Sequence, residues 1–160
     1  VEYRGVICTS LLLRRPLSDF YITNIVDSSI PLTGVIEMSS LVDRQMFGGR
    51  SLVYLPRYLR PDDPSFQQSD EQIENDSFSA LRRMHPSLRE DDILAGRVSR
   101  ARYVFVRPTL EWSKRMPPID TSLPRIHILN SAHIQAGTLN VNESVRLAHD
   151  HARRLHELAA

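Results

Sequence analysis

From Gly5 to Leu13 apolar side chains fall on neighbouring positions, with Val6, Ile7, Leu11, Leu12 and Leu13 in a run that stops at Arg14, Arg15 and Pro16. Apolar residues on both sides of an extended chain suit a central strand covered on both faces. Phe20 to Val26 is a second strand candidate, closed by the turn residues Asp27, Ser28 and Ser29. Gly34 to Leu41 is a third, with Val35 alternating against Glu37 and Ile36 against Met38. A break at Gly48 and Gly49 precedes a fourth, Ser51 to Leu59, which carries Leu52, Val53, Tyr54, Leu55 and Tyr58. Short polar connections between such runs give the rhythm of an antiparallel meander.

The period then changes. After the loop Pro61, Asp62, Asp63, Pro64, Ser69 with Gln72 three residues later marks a helix start, and Ile73, Ala80, Leu81 and Met84 share one side of the helix that follows. It stops at His85 and Pro86, and Ser87 with Glu90 suggests a second short capped turn. Ile93 to Arg107 returns to period two: Ser99, Ala101, Tyr103 and Phe105 lie on one face, Val98, Arg100, Arg102, Val104 and Val106 on the other. Two arginines on an otherwise apolar face read either as an edge strand whose guanidinium groups snorkel to water or as an anion-binding face. Pro108 to Ser122 is an irregular connection.

The last stretch, Leu123 to Ala160, combines a short apolar run (Ile126, Ile128, Leu129), a polar turn containing Gly137 (Gln135 to Asn140) and an amphipathic helix. Asn140 and Glu143 stand at capping-box spacing. Val141, Val145, Ala148, Ala152 and Leu155 recur at spacings of three and four, while Glu143, Arg146, Asp150 and Arg154 fall on the opposite face. Free N–H groups at such a helix start suit an anion or a carbonyl oxygen. The whole pattern is α+β: a mainly antiparallel sheet of about five strands, one long inserted helix and a C-terminal amphipathic helix.

At 160 residues with 41% hydrophobic and 24% charged residues, the chain has the size and composition of one globular domain. A net charge of +1 with mixed signs gives no electrostatic footprint for nucleic acid. Cys8 is the single cysteine, which excludes an internal disulfide, fits a reducing, cytoplasmic setting and reads as a small core residue. No apolar run approaches the roughly 18 residues of a spanning helix. The chain opens on Val1 and enters a strand almost at once, as a piece of a longer polypeptide would.

No metal set emerges. His149 and His151 are two apart on the last helix and face differently, and His149 and His156 are about 10.5 Å apart along its axis. No GxSxG elbow accompanies Asp150 and His149, and no general acid or base stands out, so catalytic residues stay unassigned.

The segments Gly34 to Asp43 (GVIEMSSLVD) and Gly48 to Leu55 (GGRSLVYL), then Ala101, Arg102, Tyr103, then Leu123 to Leu155, occur in an order that resembles the C-terminal part of the flavin-dependent amine oxidase superfamily. That superfamily includes protoporphyrinogen oxidases and carotenoid desaturases. Its closing segment is a strand, usually ending in Gly-Asp, then a Gly-containing turn and a long helix whose N-terminus abuts the flavin. Here Leu129, Asn130 and Ser131 stand where the Gly-Asp would be, and Gly137, Thr138, Leu139 and Asn140 form the turn. The resemblance implies a substrate-binding domain over residues 1–122 and, over 123–160, the closing strand and helix of an FAD-binding domain. It implies FAD contacts from Asn130, Gly137, Thr138, Leu139, Asn140 and Val141. The GxGxxG fingerprint is absent from this chain, so the resemblance places it in a missing N-terminal FAD-binding domain. FAD would be held by the full-length flavoprotein, which oxidises a small-molecule substrate, and the isolated fragment would be inactive, without flavin and prone to self-association. The alternative is a self-contained, non-catalytic α+β binding or assembly module.

Overall fold

The computed structural model describes residues 1–135 and 139–159, with side chains as far as Glu157. In chain order the elements are β1 (Tyr3–Leu13), β2 (Ile22–Asn24), β3 (Gly34–Glu37), β4 (Ser51–Leu59), α1 (Asp70–Met84), β5 (Ile93–Val106) and α2 (Val141–Ala159), with short 3-10 turns between them. The strands form one sheet in the order β2-β3-β4-β1-β5, the α+β plan with an antiparallel sheet that the pattern predicts. By contacts the chain divides into two compact units, Arg4–Val104 and a second made of Val1–Tyr3 with Phe105–Ala160.

In the first unit, α1 forms where the capping chemistry said it would. Ser69 Oγ accepts from the Gln72 N–H at 3.1 Å, Asp70 and Glu71 sit in the first turn and Arg82 and Arg83 in the last, each sign favoured by the helix dipole. Its buried stripe, Ile73, Ser77, Ala80 and Leu81, lies on one face of the sheet. Along β1 every second residue is buried there: Leu11 and Leu13 meet Val53 and Leu55 of β4 in a core completed by Ala80, Leu81 and Leu88, and Ile7 packs with Phe66 and Ile73 in a second, smaller cluster. Burying each such aliphatic side chain contributes roughly 1.5–3 kcal/mol. Thr9 and Ser77, both buried, satisfy each other's hydroxyls at 2.8 Å inside this layer. Gly5 marks a close approach: a Cβ there would stand 2.7 Å from Phe66 Cζ and 2.8 Å from the carbonyl oxygens of Ala101 and Arg102.

Several expectations need correction. β1 is not covered on both faces within this unit; Val6, Cys8, Ser10 and Leu12 stay half-buried on the side away from α1. The second and third strands are shorter than the apolar runs suggest. β3 ends at Glu37, whose buried carboxylate accepts the Leu17 and Ser18 N–H groups at 3.0 Å each, and the chain turns into a 3-10 segment at Met38. The turn after α1 is closed not by Ser87 but by Asp92, whose carboxylate accepts the Arg89 N–H at 3.0 Å. Arg89 first, then the Arg15 guanidinium, hold the Asp92 carboxyl below its ordinary range against the opposing effect of burial.

In the second unit the Trp112 indole N–H donates to the Ala132 carbonyl at 3.0 Å, and Val106, Met116, Trp112 and Ala132 form a small apolar cluster. The strand expected at Ile126 to Leu129 is absent. Arg125 adopts a left-handed φ of 64°, the chain folds back on itself, and a single bridge between Asp120 and His127 remains, with Ile126 and Ile128 about half exposed. Thr121 Oγ1 donates to the Ile126 carbonyl at 2.8 Å, which fixes the turn locally in place of a sheet ladder. α2 also differs from the periodicity. Most of its apolar stripe points outward, with Val141 77% and Val145 51% exposed and Ala148 and Ala152 also exposed, while Leu155 of that stripe and Glu143, Leu147, Asp150 and His151 are the more sheltered positions.

Candidate functional site

The face of the sheet opposite α1 is where the first unit leaves its own apolar surface unfinished. Side chains alternate along a strand, so the residues between the buried ones share this second face. On β1 these are Arg4, Val6, Cys8, Ser10 and Leu12; on β4, Leu52, Tyr54 and Tyr58, together with Pro56, which is buried. The register pairs them directly: Val6 with Tyr58, Cys8 with Pro56, Ser10 with Tyr54, Leu12 with Leu52. Tyr54 also pairs with Ile36 of β3, and Ile36 with Ile22 of β2, so one transverse row runs Ile22, Ile36, Tyr54, Ser10. On β5 the same face carries Ala95, Arg97, Ser99, Ala101 and Tyr103, because Val98, Arg100 and Arg102 point to the α1 side, where Val98 packs with Ile7 and Phe66.

This surface has a definite character. It combines small residues (Cys8, Ser10, Ser99, Ala101) with the larger Tyr54, Tyr58 and Tyr103. Burial raises the Cys8 thiol, only partly opposed by a hydrogen bond with the Leu55 backbone, so it stays protonated and serves as a small apolar contact rather than a nucleophile.

The two arginines singled out in the sequence are not an anion-binding face. Arg100 pairs with Asp70 and donates to the Gln68 carbonyl at 2.9 Å; Arg102 lies 4.9 Å from the Phe66 ring centroid and donates to the Pro61 carbonyl at 2.6 Å. They clamp β5 to the segment before α1, the snorkelling alternative.

The residues expected to meet FAD lie in the second unit. Asn130 is half of a local cap: its Oδ1 accepts the Ala132 N–H at 2.9 Å, and its own N–H donates to His133 Nδ1 at 3.2 Å. His133 is buried, with Nε2 3.1 Å from the Pro117 carbonyl oxygen, so the ring ties this turn to the segment before it. Gly137 and Thr138 fall outside the described residues. Asn140 Oδ1 accepts the Glu143 N–H at 2.8 Å, as the cap spacing predicts, and Leu139 and Val141 on either side are exposed. Glu143 then engages Arg146, which raises the guanidinium's basicity. A concavity of about 560 Å³ lies beside α2, with Met116, Leu129 and Leu147 against Arg146, His151 and Arg154. Among the described residues no group of three His, Cys, Asp or Glu side chains is placed to hold a metal ion, and no helix is long and apolar enough to cross a membrane.

No family model matches the sequence, and no curated protein matches it. In fold, the chain is similar to an oxidoreductase. That protein, from Methanosarcina mazei, has a crystal structure to which this chain aligns with a TM-score of 0.67 and 16% sequence identity, over 96% of this chain and 34% of that one. At that identity the likeness is one of fold. The chain spans about a third of the oxidoreductase's length.

The open-face row was the part that sequence reasoning missed. Alternation in Leu52, Tyr54, Pro56 and Tyr58 was a signal for it, but which residues face each other across strands depends on pairings far apart in the chain.

Proposed function

We propose that this chain is the substrate-binding portion and closing segment of a longer FAD-dependent oxidoreductase, with the open sheet face of Arg4–Val104 forming a wall of the substrate pocket. The observation that carries the reading is the one-sided sheet: the β1 run is apolar on both faces, α1 covers one, and the other is left to be covered by something outside this unit. The likeness in fold to about a third of an oxidoreductase supports it. The exposed Val141 and Val145 of α2, with Leu139 just before the helix, support it too, since an amphipathic helix with its apolar side in water lacks a packing partner.

The start of α2 fits the flavin role that the resemblance assigns. Asn140 takes the Glu143 N–H, while the Val141 and Asn142 N–H groups have no partner among the described residues and stand at the positive end of the helix dipole. These groups would donate to a ring carbonyl and favour negative charge there, with Gly137, Thr138, Leu139 and Asn140 shaping the approach and Asn130 holding the preceding turn. FAD, when bound, supplies the hydride acceptor. The chain's own part is to hold an apolar substrate against the Tyr54 and Tyr103 side of the sheet and to keep water out.

The test is made on the natural polypeptide that carries this chain. It is expected to purify with flavin absorption, and Val141→Glu, which puts a carboxylate beside the ring, is expected to lower flavin occupancy, whereas Val141→Leu, which keeps the apolar contact, is expected to leave it unchanged. A natural polypeptide that purifies without flavin and takes none up on reconstitution refutes the reading and favours the non-catalytic binding module.

A further inference from the structure

We infer that the open sheet face recognises an apolar, ring-bearing anion, with Arg97 as the counter-charge and Tyr54 as the ring platform; this deepens the proposed function by naming the substrate class of the same site. The argument begins with charge. Among the strand positions of this face the ionisable charges are Arg4 and Arg97, both cationic, and no carboxylate stands among them. The guanidinium of Arg97 has no hydrogen bond or ion pair with any described residue, unlike Arg100 and Arg102 on the other face, which are fully engaged. An unpaired cation bordering an apolar surface favours a ligand that brings the opposite charge.

Position supplies the rest. A Cβ on Gly96 would lie 3.2 Å from Glu74 Oε1 of α1 and 3.5 Å from Leu11 Cδ2, so Gly96 faces the α1 side beside Leu11, and the next residue, Arg97, faces the open side in the neighbourhood of Ser10. Arg97 thus extends the transverse row through Ser10 to Tyr54, Ile36 and Ile22. Adjacent strands are about 4.8 Å apart, so Arg97 and Tyr54 are about 10 Å apart across the small Ser10, and the aliphatic pair lies beyond. A carboxylate or similar group at Arg97 would lay its ring system over Ser10 onto Tyr54 and run its apolar end over Ile36 and Ile22. Arg4, the other cation, stands at the far end of β1 next to the Arg60 and Asp62 pair and outside this row.

The probe pair is 4-phenylbenzoate and its uncharged amide, titrated calorimetrically into the natural flavin-loaded polypeptide. The acid is expected to bind roughly tenfold tighter than the amide. Arg97→Gln, at an exposed position, is expected to abolish that preference with the flavin spectrum and the amide affinity unchanged, whereas Tyr54→Ala is expected to weaken acid and amide alike. Equal binding of acid and amide, no binding of the acid, or an acid preference that survives Arg97→Gln overturns the inference. Flavin content is read separately: a polypeptide without flavin refutes the oxidoreductase reading, while the acid preference and its dependence on Arg97 still decide this one.

Discussion

Leu11 and Leu12 are adjacent, chemically identical and on opposite faces of β1, which makes them a direct probe of the one-sided sheet. Leu11 has no solvent exposure and packs in the α1 layer with Val53, Leu55 and Leu81; Leu12 is half-buried opposite Leu52 on the open face. Truncation to Ala removes the same atoms at both positions and carries a similar strand-propensity cost, so the difference isolates burial. Leu11→Ala loses the transfer free energy and leaves a cavity between sheet and helix, about 3–5 kcal/mol. Leu12→Ala forfeits only part of the transfer term and leaves no enclosed void, about 1 kcal/mol. In urea unfolding of the 160-residue chain, with a slope of about 2 kcal/mol per molar, Leu11→Ala is expected to lower the midpoint by about 1.5–2.5 M and Leu12→Ala by about 0.5 M. Equal shifts with unchanged slopes would show that both faces are covered and would remove the open face as a site.

Three further outcomes follow from single contacts. Gly5→Ala drives a methyl group against two backbone carbonyl oxygens and the Phe66 ring, and is expected to cost about 1–3 kcal/mol by the same urea assay; no change would mean that β1 and β5 do not approach as closely as described. Thr9→Val strands the buried Ser77 hydroxyl at a cost of about 1–3 kcal/mol, and Ser77→Ala added to it is expected to recover part of that loss; additive losses in the double-mutant cycle would refute the pairing. For Asp92 the folded pKa lies below the unfolded value of about 3.9, so its contribution is full above that value and fades as pH falls through the folded pKa. Urea midpoints taken between about pH 5 and pH 2 should therefore fall less steeply for Asp92→Asn than for the unaltered chain, and parallel curves would contradict the assignment.

How much of this was legible from the sequence depends on the range of the interaction involved. α1 was readable because its signals are local: the Ser69 cap, the acidic first turn and the stripe through Ile73, Ala80 and Leu81 lie within one helix. The face alternation of β5 was readable for the same reason, but the fate of Arg100 and Arg102 depended on Asp70, Gln68, Phe66 and Pro61, which are distant in sequence. Ile126, Ile128 and Leu129 have strand composition, yet a strand needs a partner, and the left-handed Arg125 turns the segment back on itself instead. On α2 the apolar period is legible, but which of its positions are covered is not: Leu155 is sheltered together with Leu147 and His151, and Val141 and Val145 are left outside. The β1 run is apolar on both sides whether a helix, a second domain or a ligand covers the far face, so the pattern alone does not distinguish them.

The proposed pocket wall is tested most directly by oxidative footprinting of Tyr54 and Tyr103 in the natural polypeptide, read by mass spectrometry with flavin bound and after flavin removal, beside the 160-residue chain alone. Both tyrosines are expected to be oxidised several-fold more slowly in the flavin-loaded protein than in the isolated chain, with reactivity rising when flavin is removed. Equal reactivity in all three states would mean that the open face borders no flavin site, and would contradict the account.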